Sequence, residues 1–227
     1  VWEQHLTGED MLELLRYVDL QLVVNANVLP TYAEHHIRAA YWQVGFEPVP
    51  DRLPTMHKHD VVFLANAYSD SRVALGQVLK GLLYDVGLYG YNWNDIGDGF
   101  TLYDFPHSAA LYRGAKVTIG DNQFPDKYGF VSNRVFEALA NGAFLLHQHV
   151  DGLDALTGLQ EGIHYVSWRD TAQLKRKLKY WLAPEHDKAR REIANAGEAY
   201  VREHHSFENR VQQLFTEILP KLVVKEG

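Results

Sequence analysis

Four neighbouring residues, Ser132, Asn133, Arg134 and Glu137, have the types and spacing to hold a phosphorylated, hydroxylated ligand. Ser132 is a good N-cap. The residues after it would start a helix whose unpaired backbone N–H groups and positive dipole end favour an anion. Glu137 follows one turn on and puts a carboxylate near that open end, available to ribose or sugar hydroxyls. Asn141-Gly142 is a helix stop, and Ala143 to Leu146 is an apolar run of strand type. Loop, short helix, stop and buried strand together suggest a nucleotide site. A capped crossover helix of a parallel sheet can equally bind nothing, so the segment alone does not decide.

The elements that must position these residues read as alternating strands and helices. Thr7 to Asp10 resembles a capping box before a helix carrying Met11, Leu12, Leu14, Leu15 and Val18. Leu20 to Val24 reads as a strand, Thr31 to His36 as a short helix and Ile37 to Trp42 as a second strand. This is the tail of a parallel α/β unit rather than a whole one. Pro48, Pro50 and Pro54 mark a linker.

A second unit opens with strand Val61 to Ala65, a polar turn from Asn66 to Ser71 and a helix bearing Val73, Leu75, Val78, Leu79 and Leu82. Val86 to Tyr91, Phe100 to Tyr103 and Lys116 to Ile119 read as strands, with Pro106 starting a helix to Arg113. In such sheets ligands gather at the strands' carboxyl ends. Arg72, just after the first of these strands, could neutralise a diphosphate, and Asp121, after another, could bind a sugar hydroxyl or close an Asx-turn. Tyr91 and Trp93 could stack on a base or belong to the core. Beyond the opening stretch come a helical turn at Leu153 to Leu156, a strand at His164 to Ser167 and a helix capped by Asp170 or Thr171. A long helix runs to His204, and Ser206 caps a last one with Phe207, Val211, Leu214, Phe215 and Ile218 at helical spacing.

Composition narrows the classes. The 227 residues suit one large α/β domain or one and a half smaller ones, and a net charge of −7 with mixed signs disfavours nonspecific nucleic-acid binding. With no cysteine there is no disulfide, zinc-thiolate site or cysteine nucleophile, which fits a reducing, cytoplasmic location. Neither a signal peptide nor an apolar run of membrane-spanning length is present. The first residue is Val1, which points to a processed, trimmed or partial chain. His57-x-His59 and His147-x-His149 could each chelate as a pair, but no third ligand lies at metal spacing, so no metal is expected. Gly-x-Gly-x-x-Gly, the phosphate loop and Gly-x-Ser-x-Gly are all missing, which removes dinucleotide dehydrogenases, classical ATPases and α/β-hydrolases.

The run Ser132 to Leu146, the stretch Glu161-Gly-Ile-His-Tyr-Val166 and the stretch His204-His-Ser-Phe-Glu-Asn-Arg-Val211 resemble the CgeB-like branch of the retaining glycosyltransferases. The resemblance implies a B-type architecture of two facing Rossmann-like domains. Residues 1–52 would be the tail of the acceptor-side domain, 53–205 the donor-binding domain and 206–227 a helix bracing the two. Glu137 matches the second glutamate of the family's Glu-x7-Glu signature, the one that binds ribose. Ser132, Asn133, Arg134, Arg72, Asn66 and Lys127 then fall to donor binding with Asp121. The signature's first glutamate would stand at Gly129, with Asp126, Lys127 or Asp121 as stand-ins.

The implied reaction is retaining transfer from a nucleoside diphosphate sugar, a UDP-sugar first, with no cofactor and no essential metal. The acceptor stays open among saccharide, protein, nucleic-acid base and small molecule. A sugar-nucleotide epimerase of the same architecture and a non-catalytic donor-binding or scaffold module remain as alternatives.

Overall fold

The computed structural model describes residues 8–47, 59–99, 105–122 and 129–223. The chain opens with α1 (Glu9–Leu15), β1 (Gln21–Val23), α2 (Leu29–Glu34) and β2 (Ala39–Tyr41). β1 and β2 pair in parallel, with Gln21 opposite Ala39 and Val23 opposite Tyr41. Their side chains close a small core of Leu12, Leu15, Val23, Val28, Tyr32 and Ile37. Helix α1 starts after Gly8, and Thr7, on which the expected capping box turns, lies outside the described residues. So do the linker prolines and the strand expected at 100–103.

The larger unit runs β3 (His59–Leu64), α3 (Asp70–Lys80), β4 (Val86–Tyr89), α4 (Phe105–Gly114), β5 (Ala115–Gly120), α5 (Asn133–Ala140) and β6 (Leu145–Gln148). It continues with α6 (Leu153–Thr157), β7 (Val166–Trp168), α7 (Thr171–Trp181), α8 (Asp187–His204) and α9 (Phe207–Gln213). The five strands form one parallel sheet in the order β4-β3-β5-β6-β7. This is the α/β, Rossmann-like arrangement that the alternating pattern predicts.

Because successive strand residues face opposite ways, β3 divides its side chains between two cores. Val61 and Phe63 meet Leu75 and Leu79 of α3 and Leu174 and Leu178 of α7. Val62 and Leu64 meet Leu111 of α4, Phe136 and Leu139 of α5 and Val201 of α8. Burying each such side chain contributes about 1.5–3 kcal/mol, and both faces of the sheet are covered, as a parallel sheet requires. Trp93 belongs to the first core: its indole N–H donates to the Ala65 carbonyl at 2.7 Å, and it meets Phe63 edge to face. It is therefore not a platform for a base.

The two units are tied where the small sheet meets the segment before α5. Asn25 bridges Phe130, the Ala26 N–H donates to the Gly129 carbonyl at 3.2 Å, and the Gln43 amide donates to the Val131 carbonyl at 3.0 Å. Phe46 bridges Ser206 in parallel, and the Trp42 indole donates to the Arg210 carbonyl at 2.9 Å. The last helix departs from its apolar spacing. After Gln213 it changes to a π-helical turn over Leu214–Ile218, whose wider turn rotates the stripe, and Phe207, Val211 and Phe215 stand exposed.

Gly120 ends β5 beneath the ring of His147 on β6. A Cβ there would lie 2.2 Å from the imidazole Cδ2. Gly120→Ala should therefore destabilise the protein by about 1–3 kcal/mol through overpacking, seen as a lower urea midpoint. An unchanged midpoint would show that the ring is free to move aside.

Candidate functional site

The chain leaves β3 for β4 on one side and returns past it to β5, so the strand order reverses between β3 and β5. That reversal opens a crevice at the carboxyl ends of the strands. The residues that follow the two strands, Ala65 to Ser69 and Asp121 to Asn122, form its lips.

Asp121 is the centre of the crevice. It is 7% exposed, and both its oxygens are occupied. Oδ2 accepts from Arg72 Nε at 2.6 Å and Oδ1 from Arg134 Nη1 at 2.8 Å. Arg72 Nη1 also donates to the Asn66 carbonyl at 2.7 Å. Arg134 Nε donates to the Leu64 carbonyl at 2.7 Å, and the guanidinium sits 5.6 Å from the centre of the Phe63 ring. Burial works to raise the Asp121 carboxyl, but the Arg134 and Arg72 charges outweigh it and hold the group below its ordinary value. Two guanidiniums against one carboxylate leave the crevice with a net positive charge. Among the described residues, Nη2 of each arginine has no acceptor.

The start of α5 adds to this field. Ser132 occupies the N-cap position with extended backbone, but its hydroxyl makes no capping bond; the Val135 N–H donates to the Ser132 carbonyl at 3.0 Å, and the N–H groups of Asn133 and Arg134 are left to solvent or a ligand. Asn133 is exposed beside them. Asn66 is drawn inward: its amide donates to the Tyr68 hydroxyl at 2.9 Å and accepts from the Tyr91 N–H at 2.8 Å, so its side chain braces the loop. Lys127 and Asp126 lie outside the described residues.

Glu137 is not part of the arginine cluster. It lines a separate cavity of about 180 Å³ with Ser108 and Tyr112 of α4, Asn133 and Asn141 of α5, and Phe46 and Phe207. Burial raises its carboxyl above the ordinary value, with Arg134 pulling the other way. Among the described residues no donor reaches that carboxylate. A larger cavity, about 530 Å³, opens from Arg72 and Asp121 toward Gln148, Trp168 and Asp170, between α3 and α7.

Ser108 and Tyr112 were not singled out from the sequence. Their signal was available, since they stand four apart on α4 as polar interruptions among Ala109, Ala110 and Leu111. Nothing local pointed to Phe46 and Phe207, which come from segments far from each other and from α5.

Gly129, eight before Glu137, is fixed by its backbone. It has φ of 87°, and a Cβ there would meet the Ala26 Cβ at 2.7 Å. His147 lies under the crevice, fully buried. Nδ1–H donates to the Gln148 carbonyl at 2.6 Å, and Nε2 has no partner among the described residues. His149, two residues on, pairs with Asp151 at 2.8 Å. No group of three potential ligands for a metal ion occurs among the described residues.

Comparison with known proteins places this geometry. The family model described as glycosyl transferase-like matches residues 64–216. No curated protein sequence matches the chain. Solved structures match at low identity. Sucrose-phosphate synthase from Thermosynechococcus elongatus has a TM-score of 0.66 at 17% identity, over 99% of this chain and 64% of that one. HepE of Anabaena, in complex with UDP and glucose, has a TM-score of 0.68 at 12% identity, over 97% and 69%. A variant of S. aureus TarM, in complex with Fondaparinux, α-GlcNAc-glycerol and UDP, has a TM-score of 0.67 at 10% identity, over 91% and 45%. These likenesses establish the fold, that of the B-type glycosyltransferases. The chain spans from under half to about two thirds of the three structures.

Two predictions come from the site's electrostatics. Removing the shared carboxylate by Asp121→Asn leaves two buried guanidiniums facing each other and should cost about 3–5 kcal/mol, measured by chemical denaturation. A loss below 1 kcal/mol would show that solvent already screens the cluster. The second concerns pH. His147 is held down to about 4 by burial, and His205 likewise. An unfolded histidine titrates near 6.5, so between these values the unfolded chain binds more protons and stability rises with pH. Stability should be level above pH 7 and fall as pH drops from about 6.5 to about 4, by roughly 3 kcal/mol for each histidine. Asp121 adds a further loss below about pH 3.9 as its lowered carboxyl is protonated. Unfolding free energies that stay flat from pH 7 to 5 would contradict the buried neutral imidazoles.

Proposed function

This chain belongs to the glycosyl transferase-like family, and on that premise we propose that it forms the donor side of an enzyme transferring a sugar from a nucleoside diphosphate sugar, a UDP-sugar, to an acceptor hydroxyl or amine. One observation carries the reading. The Glu137 carboxylate, unmet by any donor among the described residues, opens into its own cavity beside the helix start that faces the positive crevice.

In this reading the ribose occupies the Glu137 cavity, with its two hydroxyls donating to the carboxylate. The diphosphate lies across the first turn of α5, where the N–H groups of Asn133 and Arg134 and the free Nη2 atoms of Arg72 and Arg134 donate to its oxygens. Asp121 and Asn66 do not touch the donor in this arrangement. Asp121 aims the guanidiniums, and Asn66 holds the loop that carries Arg72.

Transfer breaks the bond between the anomeric carbon and the β-phosphate oxygen, and the electron pair leaves with the diphosphate. The acceptor oxygen or nitrogen bonds to that carbon and gives up its proton to the departing diphosphate oxygen. Helix dipole and guanidiniums stabilise the charge growing on the leaving group, so the proposed reaction needs no cofactor and no essential metal. Retention at the anomeric carbon, membership of the CgeB-like branch and a cytoplasmic place of action are part of the proposal and rest on sequence resemblance and composition. So does the division into an acceptor-side tail at 1–52, a donor domain at 53–205 and a brace at 206–227. Among the described residues no helix is long and apolar enough to cross a membrane.

A second reading has its own support. Gly129 cannot be exchanged for a glutamate without strain, so the sugar lacks the carboxylate that the signature would offer at that position. A donor-binding module without transfer activity fits that feature.

Glu137→Gln should keep the fold and weaken UDP-glucose binding about ten- to a hundredfold, the worth of hydrogen bonds to a charged acceptor, by calorimetry on the whole protein. Wild-type affinity in the variant would remove Glu137 from the site. If UDP-, GDP- and ADP-sugars all fail to bind the wild type, the donor reading is wrong.

A further inference from the structure

Among the described residues Arg210 is a buried cation without a carboxylate beside it. Its guanidinium donates to His205 Nδ1 and, at 3.5 Å, to Gln213, and it sits 5.9 Å from the centre of the Phe136 ring. Its Nε is buried with no acceptor among the described residues. A guanidinium taken out of water is costly, and an aromatic face offsets only part of that cost. His205 supplies the remainder. Its Nε2–H donates to the Thr157 carbonyl at 2.9 Å, which leaves Nδ1 with the lone pair that receives Arg210. A second proton on the ring would turn this acceptor into a donor and set two cations face to face.

Among the described residues, the groups around the pair offer no anion to absorb that charge. They are Tyr200 and His204 from α8, the Thr157 carbonyl at the end of α6, Phe136 from α5, Tyr41 from β2, and Arg210 and Gln213 from α9. Burial, the Arg210 charge and His204 all disfavour protonation of His205.

The same residues hold the wall of the Glu137 cavity. The Phe46 N–H donates to the His205 carbonyl at 3.2 Å, and the Phe207 N–H donates to the Phe46 carbonyl at 3.3 Å. Gly45 lets the two segments meet, since a Cβ there would lie 2.6 Å from the Phe207 nitrogen. Phe46 and Phe207 face Glu137 across the cavity, and Phe136, on which both His205 and Arg210 rest, precedes Glu137 on α5.

We propose that His205 and Arg210 are positioning residues for the Glu137 cavity: the uncharged imidazole holds Arg210, and together they keep the 44–47 segment and the start of α9 closed over the ligand. The proposal rests on reading that cavity as the donor's ribose seat. Protonation of His205 releases α9 and opens the wall.

The test compares wild type with His205→Gln, whose amide preserves one donor and one acceptor but does not titrate. In the wild type, amide exchange in 207–213, corrected for intrinsic rates and referred to β5, should rise about tenfold or more from pH 7.5 to 5.0. UDP-glucose affinity should weaken as the pH is taken below about 5, where the imidazole itself takes up its proton and the open form becomes populated. His205→Gln should abolish the exchange rise and lose less affinity over that lower interval, keeping only the part that protonation of Glu137 brings. An imidazole titration followed by NMR in the wild type needs no variant, and His205 should remain the Nε2–H tautomer down to about pH 5.

Titration of His205 near 6.5, or the same exchange profile in both proteins, overturns the proposal. So does an α9 that loosens while UDP-glucose affinity stays constant, because the pair would then be structural only. Failure of Glu137→Gln to alter UDP-glucose binding instead defeats the donor reading, and the assignment to a ribose wall falls with it.

Discussion

The arrangement depends on one carboxylate shared by two guanidiniums. Asp121 sits at the end of β5, Arg72 on α3 and Arg134 on α5, so a single buried anion sets both helices against the sheet's carboxyl edge. Such a cluster is not a large source of stability, because desolvation consumes much of the Coulomb attraction. Its value is positional. Each arginine is held at two points, by Asp121 and by a carbonyl at or just beyond the end of β3 (Leu64 for Arg134, Asn66 for Arg72), and Nη2 of each has no acceptor among the described residues. The two-to-one ratio then leaves a positive charge that no further carboxylate pairs with among the described residues.

Helix α5 converts that charge into a directional site. Its first turn faces the cluster, while Asn133, Glu137 and Asn141, four apart, line a cavity along its side. Phe136 turns into the core and meets the C-terminal segment. One helix of eight residues thus presents an uncapped first turn, a carboxylate lining a cavity and a contact with both connecting segments. That economy makes α5 sensitive to distant residues: Gly45 and Gly129, neither of them near the arginines, fix how the first unit and the last helix close upon it.

Much of the fold was legible in the sequence. The buried strands around Val61 to Leu64 and Val117 to Ile119 announce themselves by apolar runs, and the stops and caps at Gly142 and Asp170 are local chemistry. The site was legible in part. Arg72, Asp121 and Arg134 each drew attention at a strand or helix end, but their mutual pairing did not, because Arg72 and Asp121 are forty-nine residues apart and only the order reversal between β3 and β5 joins them. For the same reason Asp121 looked available to a ligand. Trp93 offered two readings of equal chemistry, and only the position of the Ala65 carbonyl separates them. The separation of Glu137 from the arginines was likewise beyond reach, since helical spacing fixes a residue's face but not what packs against it.

Gly129 shows how such non-local packing constrains the chemistry. A left-handed glycine carbonyl accepts from Ala26 of the first unit, and Ala26 occupies the space a side chain would need. The chain therefore pairs the two units at the place where the family signature would put a carboxylate against the sugar. Asp121, with an arginine on each oxygen, already holds the two guanidiniums in place beside that position. Beyond the arginines the larger cavity is lined by Asn122, Gln148, Arg169 and Asp170, so that side of the crevice offers neutral amides and charges of both signs.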